Sequence, residues 1–304
     1  TRCSRDWSSD VCSSDLETCY KEKSMKKAGG APSVGYFFRR LLSAVVGFIT
    51  QLHLPSFLLA PVIRLYVKHY KIDMSEFALQ AEEAATFGQF FTRPVRPELR
   101  PKAEAARFVL SPADGLLTVG GGIREGRLEQ IKGSDYPLNE FIGDAADGAG
   151  FENGDYFVVY LSPRDYHRVH FPADGTVTGW HYIPGDKMTV QPAYLKEHRE
   201  VFVRNERLIV FIDTPRGPLA AVMVGATCVG RMDISFDPTL EGLRLSIETR
   251  HVCPRRFQVL AGDEMGMFQM GSTVVVLAAP GMMRVDETLM GKSVKVNQAA
   301  GVWL

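Results

Sequence analysis

The chain has 304 residues, 45% of them hydrophobic, and its 35 basic and 35 acidic residues give a formal net charge of zero. This length allows one large domain or two with a sizeable core, and the balanced global charge argues neither for nor against a nucleic-acid partner. The cysteines show no CxxC pair and no regular spacing, which argues against a disulfide scaffold and fits a reducing compartment. There are five of them: Cys3, Cys12, Cys19, Cys228 and Cys253.

The first 24 residues differ in character from the rest of the chain. The run from Asp6 to Leu16 is similar to a translated sequencing adapter, and three of the five cysteines lie in this part. We therefore expect residues 1–24 to be a non-native, disordered leader without a functional role, followed by a native start at Met25.

Residues 25–72 combine an apolar centre with basic flanks, which predicts a membrane-associating helical segment. Between residues 21 and 71, nine basic residues stand against one acidic residue, and such an excess favours an anionic membrane surface. Residues 41–63 contain no Asp, Glu, Lys or Arg, so their length alone would allow a transmembrane helix.

Prolines argue against such a span. Pro55 and Pro61 interrupt the apolar run, and a proline inside a helix costs about 3 kcal/mol unless a kink is accommodated. We therefore predict two short helices, at about 33–52 and 56–70, that lie in the membrane interface. A helical hairpin packed on the protein's own core and a true membrane span stay open as alternatives.

Residues 73–304 are predicted to form the remaining domain, which begins with a helix and continues as strands. Residues 73–91 carry apolar residues at helical spacings, and the prolines that follow predict an extended linker. From Phe108 onward, short apolar runs alternate with Gly, Pro and Asp, which is typical of a β-rich domain. The predicted strands are 108–110, 115–121, 156–161, 174–183, 208–213, 219–225, 246–252 and 273–279, and a connecting helix is predicted at 192–198.

One internal repeat is visible. Pro-Ala-Asp-Gly occurs at 112–115 and again at 172–175, and each copy has good turn chemistry and precedes a predicted strand. This pattern suggests a duplicated β-sandwich, with convergence of two ordinary turns as the alternative. The predicted fold class is therefore α+β: N-terminal apolar membrane-associating helices followed by a β-rich, duplicated, sandwich-like domain.

The tripeptide Gly271-Ser272-Thr273 places a hydroxyl nucleophile between a glycine and a β-branched strand. Gly271 has no Cβ and can take a strained conformation, which would let Ser272 Oγ approach the preceding carbonyl. This geometry suits self-cleavage by an N-to-O acyl shift, although the same tripeptide is more often only a turn. A serine nucleophile also needs a base. His167 and His170 are the candidates, and a buried structural histidine is the plainer interpretation of either.

Several motifs, taken in one order, extend this observation. Ser-Pro-Ala-Asp-Gly at 111–115, Ser-Pro-Arg-Asp-Tyr-His-Arg-Val-His at 162–170 and Phe-Gln-Met-Gly-Ser-Thr at 268–273 resemble the motif set of the phosphatidylserine decarboxylases. The resemblance runs from about Met25 to the C-terminus, and Met270 departs from the family's usual Leu by a change that conserves volume. The other matching segments are 86–94, 183–186, 204–207 and 224–227.

The resemblance implies a self-processing proenzyme that converts phosphatidylserine to phosphatidylethanolamine. It implies that Asp114, His170 and Ser272 form the self-cleavage triad and that the chain is cut between Gly271 and Ser272, with Ser272 becoming a covalent pyruvoyl cofactor. His167 is expected to contact the substrate carboxylate or to transfer a proton. The residues expected to bind substrate are Asp165, Pro184, Gly185 and Met188.

The same resemblance implies that residues 73–304 are the catalytic domain, cut into a β chain that ends at Gly271 and an α chain that starts at Ser272. The two chains would stay together as a heterodimer, with further dimerisation left open. The pyruvoyl ketone would form a Schiff base with the substrate amine and accept the electrons that departing carbon dioxide leaves. The expected partners are phosphatidylserine and an anionic membrane surface, with no nucleic acid and no metal. The expected location is peripheral, on the cytoplasmic face of the cell membrane.

Two other functions are compatible with the sequence. A zinc-dependent hydrolase on a duplicated β-sandwich could use Asp165, His167 and His170, with Asp114 or His251 added. However, three ligands within six residues is an unusual spacing for zinc, and no HExxH motif occurs. A membrane-binding module that never processes itself would instead remain one intact chain.

Overall fold

The computed structural model describes residues 34–131, 134–227, 232–237, 248–269 and 272–304. The expected leader at 1–24, the expected start at Met25, and Met270 and Gly271 lie outside the described residues. Within them the fold is α+β and rich in strands, so the predicted fold class is confirmed at this level.

Two helices open the described chain, α1 (Val34–Thr50) and α2 (Ser56–Tyr70). Pro55 caps the start of α2, and the left-handed conformation of Lys71 ends it. These bounds lie close to the predicted ranges of 33–52 and 56–70. No helix among the described residues is long and apolar enough to cross a membrane.

The helix α2 packs partly on the protein itself, while both helices also expose apolar side chains. Leu59 and Ile63 of α2 belong to a buried cluster with Phe77, Phe90 and Val95. The exposed apolar side chains are Phe37, Phe38, Leu41, Leu42, Val45, Phe48 and Ile49 on α1, and Phe57, Leu58, Val62 and Leu65 on α2.

The predicted helix over 73–91 is wrong. This segment contains a 3₁₀ turn (Met74–Glu76) and one short helix, α3 (Phe87–Phe91). Its apolar residues serve tertiary contacts instead: Phe77 forms a bridge with Val95. Thr86 starts a new helix by accepting a hydrogen bond from Gln89 N at 3.0 Å. Tertiary contacts, rather than the helical spacing of its apolar residues, thus determine the structure of this segment.

The remaining helices are short and lie between strands. They are α4 (Leu138–Ile142), α5 (Ala145–Ala149), α6 (Pro192–Glu197) and α7 (Val201–Arg204). The strands are β1 (Phe108–Leu110), β2 (Gly115–Gly122), β3 (Arg127–Ile131), β4 (Ser134–Pro137), β5 (Asp155–Leu161), β6 (Arg168–His170), β7 (Gly175–Ile183), β8 (Arg207–Thr214), β9 (Gly217–Gly225), β10 (Met232–Ile234), β11 (Thr249–Val259), β12 (Glu264–Phe268), β13 (Ser272–Ala278), β14 (Met283–Val285), β15 (Ser293–Val294) and β16 (Ala299–Trp303).

An eight-stranded antiparallel sheet organises the domain, in the order β11-β7-β8-β9-β13-β5-β2-β15. Apart from β11, the predicted strands in this sheet are confirmed to within a few residues. β11 ends later than the predicted strand over 246–252, of which residues 246 and 247 lie outside the described residues. The predicted strand at 108–110 is β1, in a smaller sheet. Smaller sheets have the orders β1-β16-β14, β10-β12-β6 and β3-β4. The central strand β13 pairs along its whole length with β5 and β9, and every one of its residues is buried. Apolar β-branched residues fill it because both of its faces are covered.

The two Pro-Ala-Asp-Gly turns lead into β2 and β7. These strands occupy the second position from opposite edges of the eight-stranded sheet. The domain duplication stays a prediction, as do the domain boundaries at 72 and 73.

Shortening a side chain in β13 should destabilise the whole domain. Leu277 is fully buried there, so Leu277→Ala should lower the free energy of unfolding by about 2–5 kcal/mol through lost burial and a residual cavity. Val302 in β16 is 46% exposed, and Val302→Ala should change it by about 0.5 kcal/mol or less. Urea unfolding followed by circular dichroism measures both variants, and equal losses would show that β13 is not the centre of the core.

Candidate active site

Ser272 is the first residue of the central strand. Its backbone is paired with Leu161 of β5 on one side and with Gly225 of β9 on the other. The side chain is fully buried, and its Oγ has no hydrogen-bond partner among the described residues. Within the described part of the chain, the sheet therefore holds a buried hydroxyl without a hydrogen-bond partner at one end of its middle strand.

His167 lies in the loop that follows β5. Its ring is fully buried and stacks on Phe91 with ring centroids 4.1 Å apart. Its Nε2 donates to the carbonyl oxygen of Ser162 at 3.1 Å, so the ring proton is on Nε2 and Nδ1 is the acceptor. That Nδ1 is buried without a hydrogen-bond partner among the described residues. Because Ser162 directly follows Leu161, the loop with this histidine starts beside Ser272.

Burial and a nearby buried cation, Arg93, both disfavour the charged form of His167. The guanidinium of Arg93 lies 3.9 Å from the centroid of the Phe77 ring and 4.8 Å from that of Phe90, and Nη2 donates to the carbonyl of Arg164 at 3.2 Å. Burial, together with this positive charge, lowers the pKa of His167 to about 3. Burial also lowers the pKa of Arg93 to about 10, which leaves it protonated at neutral pH. At neutral pH His167 is therefore an uncharged imidazole.

His170, at the end of β6, has both ring nitrogens hydrogen-bonded. Nδ1 donates to the carbonyl of Gly262 at 2.8 Å, and Nε2 accepts from the hydroxyl of Tyr166 at 2.9 Å. Burial lowers the pKa of His170, so this ring is also neutral at neutral pH, with its acceptor nitrogen occupied by Tyr166.

Asp114 is buried in the turn before β2 and is surrounded by cations. Its carboxylate accepts from Arg100 Nε at 3.0 Å and Nη2 at 2.5 Å, from Lys295 Nζ at 3.3 Å and from the backbone N–H of Val296 at 2.8 Å. These partners come from distant parts of the chain, and nothing in the local sequence around Asp114 indicates them.

The structure links two members of the expected triad, His170 and Asp114, through the backbone, but among the described residues it does not link either side chain to the third. The backbone N–H of His170 donates to the carbonyl of Pro112 at 2.8 Å, which joins β6 to the turn of Asp114. Among the described residues, however, the hydrogen bonds of Asp114 and His170 go to other groups, and none joins either side chain to Ser272. The described geometry is therefore not a preassembled hydrogen-bonded relay.

Asp165 shapes the loop of the histidines. Its carboxylate accepts from both the backbone N–H and the hydroxyl of Ser162, at 2.8 and 2.6 Å, and burial raises its pKa. Its hydrogen bonds therefore hold the loop that begins next to the Ser272 strand. Its expected role in binding substrate stays a prediction.

The other residues expected to bind substrate, Pro184, Gly185 and Met188, lie in the loop after β7. Asn205 fastens this loop to the strand beside Ser272: Nδ2 donates to the carbonyls of Met188 and Gly225 at 2.7 and 2.8 Å, and Oδ1 accepts from Met188 N at 2.9 Å. Gly225 in turn pairs with Ser272. Asn205 therefore joins this loop to the residue that pairs with Ser272, a connection that the sequence alone did not reveal.

The two N-terminal helices also contact this region. Arg39 of α1 forms an ion pair with Asp186 of the same loop, and the hydroxyl of Tyr66 in α2 donates to the carbonyl of Pro163 at 3.1 Å. Gln51, just after α1, donates to Gln269 at 2.5 Å. The sequence favoured a membrane role for these helices, with packing on the protein's own core as an alternative, and did not indicate these particular contacts.

The described residues contain no group of three or more His, Cys, Asp or Glu side chains that could hold a metal ion. The arrangement that a zinc hydrolase would need is therefore not present in the part of the chain that the structure describes.

Comparison with known proteins relates this sequence to a family. The sequence model of phosphatidylserine decarboxylase matches residues 87–302. The phosphatidylserine decarboxylase proenzyme of Anaeromyxobacter sp. (strain K) is 42% identical over 266 residues, which cover 86% of this chain and 94% of that protein. The proenzyme of Myxococcus xanthus is 40% identical over 262 residues, covering 86% and 93%, and that of Shewanella loihica is 39% identical over 247 residues, covering 79% and 86%.

The chain belongs to the phosphatidylserine decarboxylase family. The family match includes every residue to which the sequence analysis gave a role in the site, from Asp114 to Ser272. It begins at the start of α3 and so leaves α1 and α2 outside. The predicted membership of the family is confirmed, whereas the individual residue roles stay predictions.

His167 should resist protonation in the folded protein. At pH 5 its ring should still be neutral with the proton on Nε2, since both burial and Arg93 disfavour the imidazolium. The unfolded chain, with an ordinary histidine pKa of about 6.5, binds more protons than the folded one below that pH. Stability should therefore fall as the pH drops below about 6.5.

Two-dimensional NMR of the ring nitrogens tests this, with His167 assigned by its loss in His167→Gln. The same resonance in urea provides the unfolded reference. Half-protonation of folded His167 above about pH 5.5 would contradict the described burial.

Proposed function

We propose that this protein is a phosphatidylserine decarboxylase proenzyme that produces phosphatidylethanolamine with a pyruvoyl group made from its own Ser272. The observation that carries the proposal is the buried Oγ of Ser272 at the end of the central strand, which has no hydrogen-bond partner among the described residues. Leaving a buried polar group unsatisfied costs about 1–3 kcal/mol, and such groups in native proteins call for an explanation such as catalysis. The names of the relatives agree with this activity.

Self-cleavage requires Ser272 Oγ to attack the carbonyl carbon of Gly271. The Oγ–C bond forms and the C–N bond breaks, giving an ester and a free amine. Removal of the Ser272 Cα proton then expels the Gly271 carboxylate and leaves a dehydroalanine. Its tautomer takes up water and releases ammonia, so residue 272 becomes the pyruvoyl group at a new N-terminus. The adjacent strands β5 and β9 fix Ser272 during these steps by pairing with it on both sides.

The histidines are proposed to move the protons. Both are neutral because burial lowers their pKa values, and a neutral imidazole is the form that can act as a base. For His170 to act on Ser272, with Asp114 stabilising the charged ring, its Nε2 must first be released by Tyr166. The acceptor Nδ1 of His167 is already without a partner among the described residues. We therefore assign proton transfer to the substrate to His167, whose charged form a substrate carboxylate nearby would favour.

Once formed, the pyruvoyl group supplies the electron sink for decarboxylation. The chain's own residues would hold the substrate around it. The loop with Pro184, Gly185 and Met188 is hydrogen-bonded through Asn205 to the strand beside residue 272, and the loop with His167 begins next to it. Both loops are thus fixed to the two strands that flank the position of the group.

Cleavage should not release the short chain. The new α chain starts with β13, which pairs with β5 and β9, two strands of the β chain, over all seven of its residues. These backbone hydrogen bonds and the buried side chains of β13 would hold the two chains together as a heterodimer.

We further propose that the protein binds peripherally to the cytoplasmic face of the cell membrane through α1 and α2. The support is the set of apolar side chains that both helices expose, combined with the basic character of this part of the chain. The cytoplasmic leaflet carries anionic lipids and attracts such segments. Contacts of the same helices with the loops of the site would place the site at the surface where the lipid substrate lies.

Removing the nucleophile should abolish processing. The wild-type protein should show two bands on a denaturing gel, and Ser272→Ala should show one unprocessed band and no release of carbon dioxide from phosphatidylserine. Ser293, an exposed serine in β15, provides the matched control, because Ser293→Ala should be cut as the wild type is.

Cleavage that persists in Ser272→Ala would remove Ser272 from the mechanism. A wild-type protein that stays intact and inactive would support the alternative of a membrane-binding module that never processes itself.

Removing exposed aromatic side chains from the helices should weaken membrane binding. Phe48 and Phe57 are 69% and 74% exposed, and burying a Phe side chain contributes about 1.5–3 kcal/mol. Phe48→Gln and Phe57→Gln should therefore each lower partitioning onto anionic liposomes by about tenfold or more. Turnover of a soluble short-chain phosphatidylserine should change little, because neither side chain is part of the described site.

Sedimentation with liposomes measures the partitioning, and Val252→Gln is the control, since Val252 is 73% exposed but lies on β11. Equal losses of liposome binding and of soluble turnover would show that the helices support the fold rather than the membrane contact.

A further inference from the structure

Arg40 lies on α1 against the loop that is expected to bind substrate. Its Nη1 donates to the hydroxyl of Tyr36 at 2.8 Å and to the carbonyl of Gly185 at 3.4 Å. The guanidinium also lies over the Tyr36 ring, 5.4 Å from its centroid. The side chain is thus half-buried and is aimed at the same loop that Asn205 fastens to the strand beside Ser272.

Within the described part of the chain, the charge of Arg40 is not neutralised by a carboxylate. Arg39 pairs with Asp186, and Lys187 pairs with Glu206 at 2.8 Å, so the other two cations at this loop already have acidic partners. No carboxylate of the described residues is within ion-pair distance of Arg40. A half-buried guanidinium that uses few of its donors on described residues is a suitable site for an anion.

The surroundings of Arg40 suit an anion that is attached to acyl chains. Phe37, Phe38 and Leu41, on the same turns of α1, are 61%, 64% and 64% exposed. A phospholipid whose headgroup reached Arg40 would leave its acyl chains beside these apolar side chains. A free anion would make no use of them.

We propose that Arg40 binds the phosphodiester of the substrate and thereby selects a phospholipid over free serine. This proposal rests on the proposed decarboxylase function. In phosphatidylserine the phosphate is attached to the side-chain oxygen of the serine, only a short chain of bonds from the amine that reacts at residue 272. A phosphate site must therefore adjoin the loop that lines the site, and Arg40 is hydrogen-bonded to Gly185 of that loop. One guanidinium group can donate two parallel hydrogen bonds to two phosphate oxygens, so it orients the phosphate as well as attracting its charge.

Kinetics on dihexanoyl phosphatidylserine, used below its critical micelle concentration, test the proposal without a membrane. Arg40→Met should raise KM by about tenfold or more, because a charge-assisted hydrogen bond is lost, with kcat within about twofold and self-cleavage complete. Arg40→Lys should lose less, since it keeps the charge but not the paired donors. Arg107 is exposed and pairs with Glu104 far along the chain from α1, so Arg107→Met should behave as the wild type.

Two inhibitors separate phosphate recognition from a general loss of the site. Glycerophosphoethanolamine has the phosphodiester and no carboxylate, while O-methylserine has the amine and carboxylate and no phosphate. Inhibition by the first should weaken in Arg40→Met, and inhibition by the second should not change. An unchanged KM, or equal weakening of both inhibitors, would overturn the proposal. Inorganic phosphate provides a further test. If it inhibited as strongly as glycerophosphoethanolamine, and if this inhibition depended equally on Arg40, the site would be one for free phosphate, which would contradict selection of a lipid.

Calorimetric titration with glycerophosphoethanolamine separates this proposal from the proposed function. Weaker binding by Arg40→Met than by the wild type supports the phosphate site whatever the activity of the preparation, and equal affinities refute it. An intact, inactive wild-type chain would refute the proposed function instead.

Discussion

The account depends on the pairing of β13 with strands on both sides. A strand with neighbours on both sides has its backbone fixed along its whole length, so the backbone of its first residue, Ser272, has little freedom to move. The same pairing also connects the two loops of the site, because β5 leads into the loop of His167 and β9 is joined by Asn205 to the loop of Gly185. One set of backbone hydrogen bonds thus positions Ser272, the proposed nucleophile, and the loops beside it, and would hold the two chains together after cleavage.

The second constraint is the burial of charged side chains near the site. Within the described residues, Arg93 is fully buried and stacked on aromatic rings rather than paired with an acid, and its charge adds to burial in lowering the pKa of His167. Asp114, in contrast, is held by Arg100 and Lys295. Because a buried pair is costly to break, these cations would have to release Asp114 if it is to stabilise a charged His170. The uncut chain, in this view, is held in a state that must rearrange at Asp114 and Tyr166 before the triad can act.

The sequence predicted the sheet well and the site only in outline. The central strands are apolar and β-branched because they are buried on both faces, so a local pattern was sufficient for β5, β9 and β13. The helix predicted over 73–91 failed because its apolar residues, such as Phe77, serve contacts with distant segments. The partners of Asp114 could not be predicted for the same reason: Lys295 is 181 positions away in the chain. The contact of Arg39 with Asp186 spans 147 positions, and no periodicity encodes such a pairing.

Intact mass spectrometry of the purified protein tests the central claim most directly. The account predicts a long chain that ends at Gly271 and a short chain that begins at residue 272 and is lighter by one ammonia than a chain that begins with serine. A single uninterrupted chain in active material, or a short chain that begins with unmodified serine, would contradict it.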